Sequence, residues 1–501
     1  MGETIVKEKL LKGTIFLTLA GVIVRIIGFL YRIFLANTLG ETELGIYQLV
    51  FPVYSICFTL YASGLQTAVS QLVSNPHYKY SKKVIKTGIF LSLSISLALS
   101  AVIFIFSDFI SIHFLFTERT SDLLKLLAFI FPFCGVTSMI NGYFYGLREA
   151  KVPAVTQMIE QLCRVGFVFV IYISSICEFS SKVAVAGLIA GELSSNVYNL
   201  ISLKRSKVKQ LGRLTVKKTK IAKAILKQAI PLSGTKLVIA LLSSIESVLI
   251  PIMLTKYGLS HDDSLALYGV ITGIVLPFIL FPGTITNSLS VLLLPEISKA
   301  DNENNRARIL QTTKITIKYS LLLGCIATAI FLNFGKSVGI LFFHSENAGK
   351  LLTLLALSCP FIYVSTTLAS IINGLSKTHI TFRNTVCGLL VRILFLVTIT
   401  PRYGVYGYLF GLLLSQIIIS ILDSVYLIRH GYTEVELFRW LVFPCVVLSV
   451  SIYLCRMFTQ TLCVYFQYER DFASLLAMIP ALIISFVFFR AAGLIRKEDL
   501  T

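Results

Sequence analysis

Long apolar segments alternate with short polar segments along nearly the whole chain. About 20 apolar residues at a rise of 1.5 Å per residue are enough for a helix to cross a bilayer. The pattern therefore predicts an all-α integral membrane protein with fourteen transmembrane helices. These predicted helices span residues 13–39, 43–72, 84–110, 121–147, 153–175, 182–204, 229–255, 264–294, 309–334, 350–375, 380–400, 404–428, 437–458 and 473–490.

The polar segments between the predicted helices alternate in charge. Those after even-numbered helices carry basic clusters, such as Lys79, Lys82 and Lys83. Those after odd-numbered helices hold few basic residues and several acids, such as Glu41 and Glu43. Basic loops are retained in the cytoplasm. The alternation therefore supports the count of fourteen and predicts a multi-pass cell-membrane protein with both termini in the cytoplasm.

The composition agrees with a membrane protein and argues against nucleic-acid binding. Charged residues make up 14% of the chain and hydrophobic residues 55%, whereas soluble domains contain about 25% charged residues. The net charge of +20 does not indicate a nucleic-acid partner, because the basic residues fall mostly in alternate loops.

Neither a metal site nor a catalytic site is expected. The ten cysteines are scattered singly, and neither CxxC nor a Cys/His ligand spacing occurs, so we interpret them as small buried hydrophobic residues. The motifs GxxxxGK[ST], HExxH and GxSxG do not occur. We expect a protein that is not an enzyme and has no cofactor.

An internal repeat divides the chain. The segment LLKLLAFIFPF at 123–133 aligns with LLTLLALSCPF at 351–361 at an offset of 228 residues, and the same offset pairs Gly146 with Gly374 and Arg164 with Arg392. An even number of predicted helices separates the copies, so both run in the same direction and form a parallel repeat. The repeat predicts two six-helix lobes and two extra helices: an N-lobe at 1–204, a basic cytoplasmic linker at 205–228, a C-lobe at 229–428, and helices 13–14 with a cytoplasmic tail at 429–501.

The basic linker carries ten Lys or Arg and no acid between Lys204 and Gln228. Two compatible interpretations stay open. The linker can fix the topology between the lobes, or its second half, TVKKTKIAKAILKQ, can form an amphipathic helix on the anionic inner leaflet.

Two arginines, Arg25 and Arg32, lie inside the first apolar segment. Helical spacing places them on one face with Gly21 and Gly28. An arginine near mid-bilayer costs roughly 2.5–3.5 kcal/mol, so such residues normally face a bundle interior or a water-filled cavity. We interpret the pair as a cationic cavity wall that binds an anion. The alternatives are that Arg32 reaches the interface and that Arg25 forms a structural pair between helices.

Arg164 and Arg392 hold equivalent places in predicted helices 5 and 11. Glu160 precedes Arg164 by four residues, and this spacing predicts an ion pair within the helix. Gly388 stands at the corresponding position before Arg392. Arg392 must therefore find a partner on another helix or face water.

Carboxylates and a lysine also fall inside predicted spans. Glu192 forms a polar stripe with Asn196 and Asn199, and Glu246 lies near the middle of helix 7 with Lys236 closer to the cytoplasm. A buried carboxylate can couple transport to H⁺ or Na⁺, or it can neutralise the cavity arginines. Both interpretations stay open. Near a cytoplasmic helix end, Asp423 is expected to be interfacial.

The segments RIIGFLYR at 25–32 and GIYQLVFPVY at 45–54, with the 6+6+2 layout and the parallel repeat, resemble the multidrug/oligosaccharidyl-lipid/polysaccharide (MOP) flippase superfamily. Within it, the N-terminal segment is most similar to the stage V sporulation protein B branch, which is similar to the lipid II flippases. The resemblance implies an alternating-access flippase that exports an undecaprenyl-pyrophosphate-linked oligosaccharide for peptidoglycan or spore cortex.

The resemblance also implies roles for single residues. In lipid II flippases, arginines of helix 1 line a cationic cavity. Arg25 matches the first arginine of their helix 1 motif, and Arg32 lies one residue after the usual position of the second arginine. Glu246 stands where many members have an acid. The sodium-linked carboxylate that some members carry on helix 11 has no counterpart, because Asn384, Gly388 and Arg392 occupy that face, so the resemblance does not extend to sodium coupling.

The implied partners are a lipid-linked sugar pyrophosphate, membrane lipids and proteins of cell-wall synthesis. Two other functions stay open. One is a cation-coupled multidrug antiporter of the same superfamily, which would favour an acidic or aromatic cavity. The other is a non-transporting membrane scaffold for wall synthesis in sporulation.

Overall fold

The computed structural model describes residues 2–75, 82–175, 178–206, 217–433, 436, 438–466, 478–491 and 494, with side chains for most of these residues from Ala20 onward. Every regular element in this part of the chain is helical. The chain divides into two compact units, Met1–Ile252 with His261–Gly269, and Met253–Ser260 with Val270–Thr501.

The first unit contains most of the helices up to Gly269. They are α1 (Gly2–Leu39), α2 (Glu41–Phe58), α3 (Gly64–Ser74), α4 (Lys82–Ile105), α5 (Ser107–His113), α6 (Ser121–Ala128), α7 (Ile130–Gly146), α8 (Lys151–Ser174), α9 (Ser181–Arg205), α10 (Lys218–Tyr257) and α11 (His261–Gly269). A π-helical turn at Thr59–Ser63 continues α2 into α3, and a 3₁₀ turn at Glu118–Thr120 precedes α6.

The second unit begins with the last residues of α10 and continues through the remaining helices. They are α12 (Leu276–Leu280), α13 (Gly283–Asn302), α14 (Arg306–Phe343), α15 (Glu346–Leu355), α16 (Cys359–Gly374), α17 (Thr378–Thr398), α18 (Thr400–Tyr403), α19 (Val405–Arg429), α20 (Phe443–Phe466) and α21 (Met478–Ala491). Shorter turns lie at Val270–Val275, Ala356–Ser358 and Phe438–Val442.

In the described part of the chain, eleven helices are long and apolar enough to cross a membrane, or up to twelve if α6 and α7, bent by 45° at their break, form one span. The predicted count of fourteen is not confirmed. Predicted helix 182–204 corresponds to α9 and predicted helix 473–490 to α21, and neither is among the eleven. Polar residues such as Glu192, Asn196 and Asn199 lower the hydropathy of α9, and only fourteen residues of α21 are described.

Polar contacts join the acidic helix starts of the first unit at one end. Ser181 donates to Glu43 at 2.6 Å, Lys182 pairs with Asp122 at 2.7 Å, and Arg119 pairs with Asp262 at 3.2 Å. These contacts connect α2, α6, α9 and α11, whose starts follow odd-numbered predicted helices. The unit thus gathers at one end the segments that the charge alternation assigns to one side of the membrane.

The start of α10 forms the amphipathic helix expected for the second half of the basic linker. Ile221, Ile225 and Ala229 are buried in an apolar core that also contains Val73 and Val84. Lys218 at the helix start is exposed, and so are three lysines on the opposite face, Lys220, Lys223 and Lys227. The expected amphipathic helix is present, but its apolar face packs on the protein and is not available to the inner leaflet. Residues 207–216 lie outside the described part, and the lobe boundaries stay a prediction.

The backbone repeats the turn geometry at the offset of 228 that the sequence predicts. Arg148 after α7 has φ 63° and Ser376 after α16 has φ 60°. Phe116 and His344, also 228 residues apart, have φ 56° and φ 50°. Non-glycine residues adopt positive φ in only a few per cent of cases, so two such pairs at one offset indicate that the local structure repeats.

Candidate functional site

A cavity of about 160 Å³ lies inside the first unit and brings charged and aromatic side chains together. Its lining residues are Phe51, Tyr54, Leu127, Ile130, Arg164, Leu188 and Glu192. They come from α2, α6, α7, α8 and α9. Two of the sequence-predicted site residues, Arg164 and Glu192, therefore share one mostly apolar cavity.

Arg164 is held in place on α8 by its own helix. Its Nη2 donates to the carboxylate of Glu160, and its Nη1 donates to Gln161 at 3.4 Å. The predicted ion pair between Glu160 and Arg164 is thus confirmed. The Nε of Arg164 is buried and has no hydrogen-bond partner among the described residues. The guanidinium therefore keeps one donor that no described protein group uses.

Glu192 faces the same cavity from α9. Its side chain is buried, with 7% exposure, and its Oε2 has no hydrogen-bond partner in the described part of the chain. Glu192 interacts electrostatically with Glu160 and Arg164 on α8 and with Cys134 on α7. Two carboxylates thus compete for one guanidinium, and one of them keeps an unbonded oxygen.

Arg32 on α1 belongs to the same group of side chains. It interacts electrostatically with Tyr47 and Arg164, and Tyr31 interacts with the same two residues. A Cβ added at Gly28 would lie 3.4 Å from Nε2 of Gln161, which shows how closely α1 approaches α8. The structure thus gathers Arg32, Arg164 and the two carboxylates in one cluster. Arg32 itself is exposed, as is Arg25, two turns before it.

Lys236 and Glu246 lie on α10, which the first unit includes up to Ile252. The Nζ of Lys236 donates to Ser63 at 2.9 Å. Glu246 is buried at 5% exposure, and nearby Ser244 donates to the carbonyl of Pro52 at 3.1 Å. This stretch of α10 therefore contacts the π-turn and α2.

Arg392 lies in the second unit and reaches another helix. Its Nε donates to Ser415 of α19 at 3.2 Å. Two turns closer to the start of α17, Asn384 donates to Asp423 of α19 at 2.7 Å. Asp423 has 1% exposure, so its carboxylate is buried among helices of the protein, while its position at the membrane interface stays a prediction. Sequence reasoning missed this pair because its two members lie 39 residues apart and only helix packing joins them.

Comparison with protein families gives two matches. A family model described as "Polysaccharide biosynthesis protein" matches residues 10–300, and a model described as "Lipid II flippase MurJ" matches residues 268–472. Stage V sporulation protein B of Bacillus subtilis (strain 168) is 25% identical over 432 residues, 83% of each chain. Lipid II flippase MurJ of the same organism is 26% identical over 172 residues, 32% of each chain.

Solved structures with a similar fold come from the same group. A lipid II flippase MurJ in an inward closed conformation superposes with a TM-score of 0.72 at 16% identity, covering 95% of this chain and 99% of that one. An inward-facing multidrug resistance MATE family transporter of the MOP superfamily has a TM-score of 0.64 at 17% identity, covering 82% and 98%. At these identities the structures establish the fold.

Proposed function

This chain belongs to the polysaccharide biosynthesis protein family of the MOP superfamily of flippases and transporters, and from that membership we propose that it exports a lipid-linked sugar pyrophosphate. It is a multi-pass membrane protein with the fold of this superfamily. The relatives it matches are flippases and transporters rather than enzymes. The substrate we propose is an undecaprenyl-pyrophosphate-linked oligosaccharide similar to lipid II.

The arrangement around Arg164 is the observation that carries this proposal. A pyrophosphate bears about two negative charges, and charge-assisted hydrogen bonds from arginine can replace its hydration. Arg164 offers a buried Nε without a partner among the described residues, in a cavity, and Arg32 interacts with it. One arginine in the wall of a mostly apolar cavity, with a second, exposed arginine interacting with it, suits an anionic head group, while the polyprenyl tail stays in lipid.

Arg25 and Arg392 are proposed as further substrate-binding residues. Glu246 and Lys236 are proposed to balance or couple charge from α10. The fourteen-helix topology, with two lobes and both termini in the cytoplasm, is part of the same proposal. Reporters fused after Thr501 test the cytoplasmic location of the C-terminus. Green fluorescent protein should fluoresce there, since it does not fold after export through the general secretory route. Activity of a phosphatase that works only outside the cytoplasm would contradict this location.

The direct test is flipping of lipid II by the purified protein in liposomes. We compare wild type with the double variant Arg164→Gln/Glu160→Gln, which removes the guanidinium without leaving Glu160 unpaired. The loss of one charge-assisted hydrogen bond, worth about 1.5–3 kcal/mol, should slow flipping about tenfold or more. Arg119→Ala is the matched control, because Arg119 is an exposed arginine of the same unit paired outside the cavity.

Other outcomes of this assay separate the remaining functions. Wild-type flipping by the double variant at equal protein levels would remove Arg164 from the mechanism. Export of a cationic dye without flipping of lipid II would favour the multidrug antiporter. Defective sporulation in variants that flip lipid II normally would favour the membrane scaffold.

A further inference from the structure

We propose that Glu192 binds a proton when an anion occupies the Arg164 cavity, so that the cavity is a linked site for H⁺ and an anion. This inference rests on the proposed function of the cavity and adds to it the residue that holds the proton. It depends on geometry: Glu192 and Arg164 line the same cavity, and the Oε2 of Glu192 is buried without a hydrogen-bond partner among described residues.

The charges of the cluster explain why the two binding events are linked. Arg32 and Arg164 carry two positive charges, and Glu160 and Glu192 carry two negative charges when ionised. A pyrophosphate adds about two more negative charges in a space whose other walls include Phe51, and repulsion between like charges is strong where water is scarce. One proton taken up by a carboxylate reduces this repulsion.

Glu192 is the carboxylate that can take the proton at the smaller cost. Glu160 already accepts a hydrogen bond from the guanidinium of Arg164, and protonation would weaken that charge-assisted bond. The Oε2 of Glu192 has no bond to lose within the described part of the chain. A protonated Glu192 also becomes a donor, which a bound anion can accept.

Titratable groups that interact with Glu192 come from α8, α7, α2 and the π-helical turn, which contributes Tyr61. Glu160 and Arg164 come from α8 and Cys134 from α7, and Tyr54 of α2 also interacts with Glu192. The hydroxyl of Tyr54 lies 3.4 Å from Sγ of Cys134. The thiol and the phenol therefore place two further exchangeable protons beside Glu192.

The experiment measures proton uptake on binding of farnesyl pyrophosphate, a short prenyl pyrophosphate that dissolves in detergent. Titration calorimetry of the full-length protein in buffers of different ionisation enthalpy gives the protons exchanged per ligand bound. In a titration run at a pH where Glu192 is ionised before the anion binds, wild type should take up more protons than Glu192→Gln, by up to one per ligand, since linkage requires that H⁺ and the anion strengthen each other's binding. Glu43→Gln is the matched control, because Glu43 accepts from Ser181 outside the cavity.

Infrared difference spectra of the wild type provide a second measurement that does not depend on a variant. Addition of farnesyl pyrophosphate should produce the carbonyl stretch of a protonated carboxylic acid, and Glu192→Gln should lack it. The two proposals fail differently. If the pyrophosphate does not bind, or binds equally well to Arg164→Gln/Glu160→Gln, the proposed function and this inference both fall. If binding requires Arg164 but wild type shows neither extra proton uptake nor the band, only the proton site is overturned.

Discussion

The hydroxyl of Ser100 on α4 donates to the carbonyl oxygen of Ala128 at 2.7 Å, at the break between α6 and α7. In the second unit, Thr328 on α14 donates to the carbonyl of Ala356 at 2.8 Å, at the turn between α15 and α16. The two donor residues are 228 positions apart in the sequence, and so are the two acceptor residues. The carbonyls at a helix end have no partner within the helix, so the same side-chain bond supports the same break in both units.

Substitution of Ser100 or Thr328 by Ala should destabilise the protein, because each leaves a carbonyl at a helix break without its partner. We expect a loss of about 1–2 kcal/mol for each variant, measured as the free energy of unfolding in a sodium dodecyl sulfate titration. Ser94→Ala is the control, since Ser94 is exposed and bonds within its own helix. A loss no larger than that of Ser94→Ala would show that these bonds do not support the breaks.

Hydropathy, loop charge and the internal repeat together predict much of the fold. The motif at 123–133 and 351–361 indicates equivalent helices, and the positive φ values at Arg148 and Ser376 follow the same offset. The fourteen-helix count is unconfirmed partly because α9 is not apolar enough to be identified as a membrane span. Its polar residues Glu192, Asn196 and Asn199 are buried and make contacts inside the protein.

The candidate site is less predictable from sequence than the fold. Spacing within one helix predicts the bond between Glu160 and Arg164, since i and i+4 residues meet on a helix. Contacts between helices give no such signal in one sequence. The proximity of Arg32 to Arg164 and the burial of Asp423 against Asn384 depend on packing.

The pair of Asn384 and Asp423 should contribute to stability as a unit. Asn384→Leu leaves the buried carboxylate without its donor, and we expect a loss of about 2–3 kcal/mol. Adding Asp423→Leu should recover part of that loss, because removal of both partners avoids an unpaired buried group. The measurement is a double-mutant cycle of unfolding free energies. Additive losses would contradict an interaction between the two side chains.

Exchange of the charges at 160 and 164 separates the structural role of the ion pair from anion binding. Arg164→Glu alone should be strongly destabilising, since it leaves several carboxylates together. The double variant Arg164→Glu/Glu160→Arg restores an ion pair at i, i+4 and should regain most of the stability, although the order of charges is less favourable. It should still fail to bind farnesyl pyrophosphate. Binding at wild-type affinity would show that a guanidinium at position 164 is unnecessary.

Close packing of α2 on α11 predicts a local effect of small substitutions. A Cβ added at Gly45 would lie 2.1 Å from the carbonyl oxygen of Leu265, and one at Gly269 would lie 2.4 Å from that of Glu41. Both obstacles are backbone atoms, so Gly45→Ala forces the two helices apart. We expect a cost of about 1–3 kcal/mol.

Hydrogen–deuterium exchange locates the effect of Gly45→Ala. Amides of α2 and α11 should exchange faster in this variant, while α7 keeps its protection, because the separation is local. Gly166→Ala is the matched control: a Cβ there meets nothing within 4 Å, and alanine favours a helix over glycine by about 1 kcal/mol. Gly166→Ala should therefore be neutral or slightly stabilising. Equal exchange in α2 and α11 for both variants would show that the contact between Gly45 and Leu265 does not hold these helices together.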